Sequence, residues 1–345
     1  SGFNNHPTAL LTVDLVERLR DSSLTTVGFA TTAGDGGALR TRIARAFHEF
    51  VELHALDHAA MAQRIRDARI DVLIDLRGYG GGSVSEVFAM RPAPLQVNWL
   101  AYPGTSGATF IDVMVADAFV VPRALEHHYS ERVVRLPHAF QPSDATRRIG
   151  APPERATCGL PGTGTVFASF NNSYKVSPGA FACWMRILGA VPGSVLWLLA
   201  GKDEGPASAN LRTEAARAGI EPSRLVFMPK LPHLEYLARY AHVDLFLDTW
   251  PYDAHTTASD ALYAGCPVLT LPGETFASRV AGSLVTTLGV PELIAGAAGD
   301  YVAKAVACAH DADRWRLRVA EARTSSPLFD MPRFARDFAA LLRSL

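Results

Sequence analysis

Short runs of β-forming residues alternate with segments of helical spacing along the whole chain, and this alternation most constrains the fold. In the first half, apolar runs that end in polar or glycine turns predict strands at residues 27–30, 72–76, 95–100 and 113–116. Apolar residues recur at helical spacing at residues 39–47 and 59–68. Strands that alternate with helices predict a parallel sheet covered by helices.

A second series of the same kind begins near Thr165. Its predicted strands are residues 166–170, 195–200, 225–228, 245–248 and 268–271, and its predicted helices are residues 178–188, 207–218, 234–240 and 257–264. Residues 142–164 separate the two series and are dense in Pro, Gly and charge, which is typical of a linker. We therefore predict two Rossmann-like domains, at residues 1–150 and 151–325.

The composition excludes several classes of protein. The 345 residues are too many for one core, and 48 % of them are apolar, which favours large buried sheets. Thirty-three basic and thirty-four acidic residues give a net charge of −1 without basic blocks, so nucleic acid is not an expected partner. No apolar run is long enough to span a membrane and no signal segment is present, so we expect no membrane partner and a cytoplasmic location. The widely spaced Cys158, Cys183, Cys266 and Cys308 are expected to be reduced thiols.

The stretch His255-Thr256-Thr257-Ala258-Ser259-Asp260 reads as a polar turn that leads into a helix. The start of a helix carries partial positive charge and unpaired N–H donors, which together suit a phosphate group. The same Thr and Ser side chains could equally do no more than cap their own helix. Both readings stay open at this point.

Two parallel layers that face each other leave a cleft, and ligands of such sheets bind beyond the carboxyl ends of the strands. In the second half, four polar segments follow strands directly. They are residues 171–175, Gly201-Lys202, residues 229–233 and residues 255–257. We expect them to line one rim.

Three residues on this rim suggest roles in binding. Lys175 could reach a phosphate held at the start of the helix, or it could be an ordinary surface lysine. Asp260 could accept hydrogen bonds from a ribose diol, or it could only favour the helix dipole. Leu231 lies between Pro229 and Pro232, which would leave its backbone open to a base edge or simply stiffen the loop.

The first half offers two further candidates. His6 precedes a predicted helix at residues 9–19 and could act as a base near neutral pH. The glycine-rich loop with Pro103, Gly104 and Thr105 suits close approach by a ligand, although a plain tight loop fits as well. No dinucleotide fingerprint, P-loop or zinc-like His and Cys spacing occurs, so no metal or cofactor is expected.

Nine stretches follow a known pattern in order along almost the whole chain. They are Asn5-His6-Pro7-Thr8, Leu76-Arg77-Gly78-Tyr79, Phe88-Ala89-Met90-Arg91-Pro92-Ala93-Pro94, Tyr102-Pro103-Gly104-Thr105-Ser106-Gly107, Phe170-Asn171-Asn172-Ser173-Tyr174-Lys175, Ser194-Val195-Leu196-Trp197-Leu198-Leu199, His255-Thr256-Thr257, Pro272-Gly273-Glu274-Thr275-Phe276-Ala277-Ser278-Arg279-Val280 and Ser325-Ser326-Pro327-Leu328-Phe329. Together they resemble the catalytic region of the O-GlcNAc transferase family, which glycosylates Ser and Thr with UDP-GlcNAc. The resemblance implies an α/β protein of the GT-B fold, with two Rossmann-like doubly wound domains facing across a cleft. It also implies that a C-terminal helix within residues 326–345 returns to the first domain.

The resemblance assigns the diphosphate to the second domain. Lys175 matches the lysine that stabilises the UDP leaving group. Thr256 and Thr257 match the diphosphate contacts at the helix start, and His255 is expected among the residues that bind the UDP-sugar. Asn172 stands where the family usually has a glutamine near the diphosphate.

The resemblance assigns the nucleoside to neighbouring residues. Asp260 matches a ribose contact, and Leu231 matches the residue whose backbone meets uracil. His233 and Tyr236 stand where the animal enzymes have a ribose-binding lysine and a histidine that stacks on uracil, which is a bacterial-type pattern. His6 matches the active-site histidine once proposed as the general base, and Pro103, Gly104 and Thr105 form a candidate sugar or acceptor loop.

Two departures from the family stand out. The tetratricopeptide repeats that usually precede this region are absent from the sequence, and the chain opens where the family has completed its first strand. We expect a fragment or a short member, in which one sheet position is exposed unless another segment fills it.

The resulting hypothesis is an inverting, metal-independent glycosyltransferase that moves GlcNAc from UDP-GlcNAc to a Ser or Thr hydroxyl of a protein or peptide. The alternatives are transfer of glucose or another sugar from UDP to Asn or to a small molecule, and a catalytically silent UDP-sugar-binding module. A non-hydrolysing UDP-GlcNAc epimerase shares the architecture and is less favoured.

Overall fold

The computed structural model describes residues 2–100, 102–200 and 205–345. The Gly201-Lys202 segment that we predicted on the rim lies outside the described residues. The chain divides into two compact units, Ser1–Thr146 together with Pro327–Leu345, and Arg147–Ser326. They are described separately below as unit 1 and unit 2.

Unit 1 contains short strands and the helices that follow them. Its helices are α1 (Pro7–Leu19), α2 (Ala38–Ala46), α3 (His58–Asp67), α4 (Ser85–Ala89) and, near the C-terminus, α12 (Met331–Arg343). Its strands are β1 (Val27–Ala30), β2 (Glu49–Glu52), β3 (Val72–Asp75), β4 (Leu95–Asn98), β5 (Val113–Asp117) and β6 (Arg132–Leu136).

The described strands of unit 1 form two separate parallel sheets. One is four-stranded in the order β3-β4-β5-β6, and the other is the pair β1-β2. β5 is buried along its full length because it is central and covered on both faces.

The C-terminal helix α12 is part of unit 1, where it packs against α1 and β6. Phe338 lies 4.3 Å from Trp99 between ring centroids, and Phe334 stacks on the same indole at 6.5 Å. The indole N–H of Trp99 donates to the carbonyl of Phe140 over 3.0 Å, so this buried aromatic cluster leaves no indole donor unpaired.

A cavity of about 610 Å³ in unit 1 is lined by residues of both β1 and β3. Leu15 of α1 and Phe338 of α12 are among its apolar walls. Among the described residues, nothing pairs with β3 on the side opposite β4, or with β1 on the side opposite β2. One sheet position is therefore unfilled in the part of the chain that the structure describes.

Unit 2 is built on the same alternation. Its helices are α5 (Pro178–Ala190), α6 (Pro206–Arg217), α7 (His233–Arg239), α8 (Thr256–Tyr263), α9 (Val280–Leu288), α10 (Ala298–His310) and α11 (Ala312–Ser325). Its strands are β7 (Val166–Ser169), β8 (Val195–Leu199), β9 (Leu225–Met228), β10 (Leu245–Leu247) and β11 (Val268–Leu269).

The described strands of unit 2 form one five-stranded parallel sheet in the order β11-β10-β7-β8-β9. β7 and β10 lie side by side near its centre and are buried throughout. Because all strands run in one direction, the segments that follow β7 and β10 emerge at the same edge of the sheet. This edge carries Lys175 and the start of α8.

The predicted alternation and the predicted parallel sheets are confirmed. Two strands were missed, β2 with the sequence Glu-Phe-Val-Glu and β6 with the sequence Arg-Val-Val-Arg-Leu. Both lie at sheet edges, where charged residues can face solvent and weaken the apolar signal. The four cysteines are free thiols, and none of the described helices is long and apolar enough to cross a membrane.

We expect the unfilled sheet position to appear in hydrogen exchange. The N–H groups of β3 that point away from β4 have no strand partner, so they should exchange at least about tenfold faster than those of β5, which is paired on both sides. Exchange measured by NMR or by mass spectrometry of short peptides tests this, and equal protection of β3 and β5 would contradict the arrangement.

Candidate functional site

The loop between β10 and α8 is fastened by one buried carboxylate. Asp248 follows β10 and is fully buried. Its Oδ1 accepts hydrogen bonds from the backbone N–H of Thr249 at 2.8 Å and of Ala254 at 2.7 Å, and its Oδ2 accepts from the hydroxyl of Thr270 at 2.7 Å. Both ends of the loop are thereby joined to one side chain. Burial, and then the neighbouring Asp253, raise the pKa of Asp248 well above its usual range.

Lys175 reaches this loop from the end of β7. Its Nζ donates to the backbone carbonyl of Asp253 over 2.7 Å and lies 3.8 Å from the centre of the Tyr252 ring. Burial lowers the pKa of Lys175 to about 8, while Asp253 and Asp248 oppose that shift. The amine is therefore still protonated at neutral pH, but it loses its proton at a lower pH than an exposed lysine does.

The start of α8 offers open donors. His255 is the residue before the helix, and its side chain does not cap the helix. None of the described residues accepts a hydrogen bond from the backbone N–H of Thr256 or Thr257. The hydroxyl of Thr257 donates to Oδ1 of Asn171 over 2.7 Å, so its proton is already engaged. The side chains of His255 and Thr257 therefore do not cap α8. The backbone N–H groups of Thr256 and Thr257 remain available to a ligand.

The imidazole of His255 is held at one nitrogen. Its Nε2 lies 3.2 Å from the carbonyl oxygen of Ala277 and 3.0 Å from Oδ1 of Asp253. Burial, and then the Lys175 ammonium, lower the pKa of His255 to about 3. His255 is therefore a neutral imidazole at physiological pH.

Asp260, one turn into α8, is buried in a small polar network. Its Oδ1 accepts from Nη1 of Arg147 over 2.6 Å, and its Oδ2 lies 3.2 Å from Nε2 of His233. The guanidinium of Arg147 also lies over the Tyr263 ring, at 4.2 Å from its centre. The side chains of Arg147 and Asp260 are 3 % and 5 % exposed, so neither charge is solvated and each depends on the other.

The nucleoside candidates lie next to this network. The ring of Tyr236 stacks on that of His233 with 6.0 Å between centroids and 21° between planes. The Tyr236 hydroxyl is 2.6 Å from that of Tyr240, and burial raises the pKa of both phenols well above the usual range. Leu231 is half-buried, and its backbone groups make no hydrogen bond with another described residue.

The side chain of Asn172 makes no hydrogen bond with a described residue at the start of α8. Its side chain is exposed, and only its backbone carbonyl is engaged, by the N–H of Lys175 over 3.0 Å. The neighbouring Asn171 is buried and is the residue that meets Thr257 and, through Nδ2 at 3.2 Å, Thr249. Lys175, His255, Thr256 and Thr257 are thus brought together, as are Asp260, His233 and Tyr236.

In unit 1, His6 is the residue before α1. Its Nδ1 accepts from the N–H of Thr8 over 3.2 Å, and its Nε2 lies 2.9 Å from Nη1 of Arg77. Burial, then the Arg77 charge, lower the pKa of His6. A guanidinium only donates and a neutral imidazole has one bare nitrogen, so His6 can accept from Thr8 at Nδ1 or from Arg77 at Nε2, but not from both at once.

The loop with Pro103, Gly104 and Thr105 is shaped by the buried carboxylate of Glu131. Glu131 accepts from the Thr105 hydroxyl over 2.6 Å, and from the N–H and the hydroxyl of Ser106 over 2.6 and 2.5 Å. Burial alone would raise the pKa of Glu131, but the hydrogen bonds from Ser106 and Thr105 outweigh it and lower the pKa. The loop is therefore fastened to Glu131 by three hydrogen bonds.

Sequence reasoning missed five residues that organise these sites: Asn171, Arg147, Asp253, Arg77 and Glu131. Arg77 is part of a recognised motif, and Asn171 belongs to a recognised segment, so both could have been found. Arg147 bonds to Asp260, 113 positions away, and Glu131 bonds to Thr105, 26 positions away. No local sequence pattern predicts either pair. Within the described residues, no group of three or more His, Cys, Asp or Glu side chains could hold a metal ion.

Comparison with solved structures defines the class of protein. The chain matches a mutant O-GlcNAc transferase of Thermobaculum terrenum with a TM-score of 0.90 and 28 % identity, covering 99 % of this chain and 66 % of that chain. Anabaena Alr3699/HepE in complex with UDP and glucose gives a TM-score of 0.66 at 15 % identity, covering 98 % of this chain and 96 % of that one, and shows the fold alone. The predicted GT-B fold is confirmed.

Sequence comparison then gives the family. The sequence profile of glycosyl transferase family 41 matches residues 1–150 and 153–338, and the chain belongs to that family. A probable UDP-N-acetylglucosamine–peptide N-acetylglucosaminyltransferase of Arabidopsis thaliana is 36 % identical over 347 residues, covering 98 % of this chain and 35 % of the relative. The Caenorhabditis elegans UDP-N-acetylglucosamine–peptide N-acetylglucosaminyltransferase is 29 % identical over 458 residues, covering 99 % of this chain and 40 % of the relative. The chain thus spans 35 % and 40 % of the length of these two relatives.

Replacement of Arg147 by Ala should strongly destabilise unit 2. The change leaves the Asp260 carboxylate buried without its cation, which costs about 3–5 kcal/mol of the free energy of unfolding. Urea unfolding followed by circular dichroism measures this loss. Arg148→Ala changes the neighbouring exposed arginine and is the matched control. Equal stability of the two variants would show that the pair does not matter.

Proposed function

We propose that this chain is a UDP-sugar-dependent glycosyltransferase that moves GlcNAc from UDP-GlcNAc to a Ser or Thr hydroxyl of a protein, with inversion and without a metal ion. Membership of family 41 supports glycosyl transfer, and the printed names of the two relatives support GlcNAc and a peptide acceptor. The geometry of unit 2 supports the way in which the diphosphate is bound.

One observation carries the proposal: a buried ammonium group and an open helix start occupy the same loop. Lys175 donates to the carbonyl of Asp253, two residues before His255, and α8 begins at Thr256. Asn171, four residues before Lys175, holds the hydroxyl of Thr257. A diphosphate at this place would meet the lysine charge, the Thr256 hydroxyl and the unpaired N–H groups together.

The chemistry follows from this charge. The acceptor oxygen attacks the anomeric carbon from the face opposite to UDP, the bond from that carbon to the diphosphate oxygen breaks, and the configuration inverts. Negative charge grows on the departing diphosphate as the bond breaks. Donors that are already in place stabilise that charge without reorganisation, at on the order of 3 kcal/mol each. Lys175 and the start of α8 would supply them.

The acceptor hydroxyl must also lose its proton. His6 is a weak base, since its pKa is lowered, and Arg77 lies against its Nε2. We therefore propose that His6 stays neutral and that a water molecule takes the proton of the acceptor hydroxyl. An activity of His6→Asn close to that of the wild type supports this assignment.

The nucleoside would be held by the residues around α7. The open backbone groups of Leu231 suit a base edge, and the stacked rings of His233 and Tyr236 suit an aromatic base. Asp260 already accepts from Arg147 and lies against His233, so a ribose hydroxyl would have to join or replace that contact. We keep Asn172, whose side chain is exposed, as a proposed contact of the diphosphate.

The test is loss of transfer when the ammonium is removed. Lys175→Met should lower the rate of GlcNAc transfer to an acceptor protein by about 10²–10³-fold, because it removes one donor to the leaving group. The measurement is mass spectrometry of acceptor peptides incubated with UDP-GlcNAc, and with UDP-glucose in parallel.

The matched control is Lys304→Met, which removes a lysine that also donates to a backbone carbonyl, that of Glu292 at 2.7 Å. Full transfer by Lys175→Met would contradict the role of Lys175. Tight binding of UDP by the wild type without any turnover would favour a catalytically silent binding module.

A second prediction concerns the pH dependence of UDP binding. Lys175 has a pKa of about 8, so its charge is present below that pH and is lost above it. The affinity for UDP measured by calorimetry should be steady near pH 7 and should weaken toward pH 9.5. In Lys175→Met the same pH range should leave the affinity flat. A wild-type affinity that does not change over this range would contradict a role for the ammonium charge.

A further inference from the structure

Tyr252 and Asp253, two neighbours in the loop between β10 and α8, enclose the end of the Lys175 side chain. Nζ of Lys175 donates to the backbone carbonyl of Asp253 over 2.7 Å and lies 3.8 Å from the centre of the Tyr252 ring. An ammonium group has three N–H donors. No other residue in the described part of the chain accepts a hydrogen bond from Nζ. One donor is therefore engaged by the carbonyl, the ring face lies against the group, and the remaining surface of the ammonium is open to a ligand.

The face of the Tyr252 ring attracts this cation. An aromatic ring carries partial negative charge on its face, and a cation within about 6 Å of the ring centre is stabilised there. The attraction is stronger where water is excluded, and burial of the Lys175 ammonium lowers its pKa to about 8. A surface that attracts a cation without a strong acceptor atom can hold the ammonium in place and leave its other donors available.

The Tyr252 ring is fixed by other neighbours. The backbone carbonyl of Tyr252 accepts from the hydroxyl of Thr249 over 2.8 Å. The ring packs against that of His255 with 5.0 Å between centroids and against that of Tyr174 with 6.4 Å. The phenol hydroxyl forms no hydrogen bond with a described residue, and burial, then Tyr174, raise the pKa of Tyr252 to about 12. The phenol is neutral at physiological pH, and its ring face is the part that meets the ammonium.

The titratable groups around the ammonium lie on the same loop. The carboxyl groups of Asp253 and then Asp248 raise the pKa of Lys175 and so oppose the effect of burial. The pKa of His255 is lowered to about 3, so this imidazole is neutral. A replacement of Tyr252 that leaves these groups in place changes the aromatic contribution to the lysine and not the charges around it.

We propose that Tyr252 is a positioning residue that acts through Lys175. Its ring face holds the ammonium against the carbonyl of Asp253 and directs the remaining N–H donors to the diphosphate. The part about the diphosphate rests on the proposed function, whereas the part about the ammonium is a property of the chain without a ligand. A ring that only filled space would influence neither the lysine charge nor the leaving group.

The direct experiment is an NMR titration of the lysine side chains in the full chain. The sequence contains four lysines, Lys175, Lys202, Lys230 and Lys304. In protein labelled with ¹³C at the lysine Cε atoms, the Lys175 signal is identified by its loss in Lys175→Met. From about pH 6 to about pH 11, the wild-type signal should titrate with a pKa of about 8. Tyr252→Phe should keep this value, because the ring face is retained.

Loss of the ring face should lower the pKa further. Burial still disfavours the ammonium in Tyr252→Leu, so the pKa of Lys175 should fall by about one unit, which is tenfold in its protonation constant. A trifluorinated phenylalanine at position 252 keeps the shape of the ring and withdraws charge from its face, so it should shift the pKa in the same direction. An unchanged or raised pKa in the fluorinated protein would overturn the proposal, because that ring fills the same space.

Transfer assays test the part about the diphosphate. At pH 7 the rate of GlcNAc transfer should fall about 3- to 10-fold in Tyr252→Leu, mainly in kcat, and should stay within about twofold of the wild type in Tyr252→Phe. The decline of the rate toward alkaline pH should begin about one unit lower in Tyr252→Leu. In a Lys175→Met background, Tyr252→Leu should have no further effect. An equal loss in both backgrounds would show that the ring is only structural and would overturn the proposal.

Phe227→Leu is the matched control. The guanidinium of Arg212 lies over the Phe227 ring at 4.6 Å from its centre, so this variant also removes an aromatic face from a cation of unit 2. Phe227→Leu should leave both the pKa of Lys175 and the transfer rate unchanged.

The outcomes separate this proposal from the proposed function. Failure of the wild type to transfer or bind any UDP-sugar would remove the proposed function and the part about the diphosphate, and the titration would still decide whether Tyr252 holds the ammonium. A shifted pKa with an unchanged transfer rate would overturn the part about the leaving group. A shifted pKa together with a loss of rate that disappears in the Lys175→Met background supports both parts.

Discussion

The candidate site of unit 2 depends on one buried carboxylate. Asp248 ties the first and the last residues of the loop between β10 and α8 to each other and to Thr270. A rigid loop lets a backbone carbonyl, that of Asp253, hold the Lys175 ammonium at a fixed place. It also leaves the first N–H groups of α8 facing outward without a side-chain cap. A site whose donors are set before the ligand arrives does not have to reorganise when charge develops.

Burial then determines the charge on each group of this loop. Burial lowers the pKa of Lys175 to about 8, and burial, followed by the Lys175 charge, lowers the pKa of His255 to about 3. The site thus contains one cation beside a neutral imidazole.

Much of the fold and part of the candidate site were predictable from the sequence. The residues that were missed have contacts that no local pattern of the sequence indicates. The strand and helix periods gave the parallel sheets, and nine motifs gave the family, which the comparisons confirm. The edge strands β2 and β6 were not predicted, because an edge strand can place charged residues toward solvent and then shows no continuous apolar run. Asp253 was not predicted because its hydrogen bonds are with Ala277 and Ala281, more than twenty residues further along the chain. The roles given to Lys175, His6 and Asp260 stay predictions.

The central claim is that Lys175 and the start of α8 bind one diphosphate. A crystal structure of the chain with UDP-GlcNAc measures this directly. We predict that an oxygen of the diphosphate lies within about 3 Å of Nζ of Lys175 and of the backbone N–H of Thr256 or Thr257. A nucleotide bound with its diphosphate away from both groups would contradict the account.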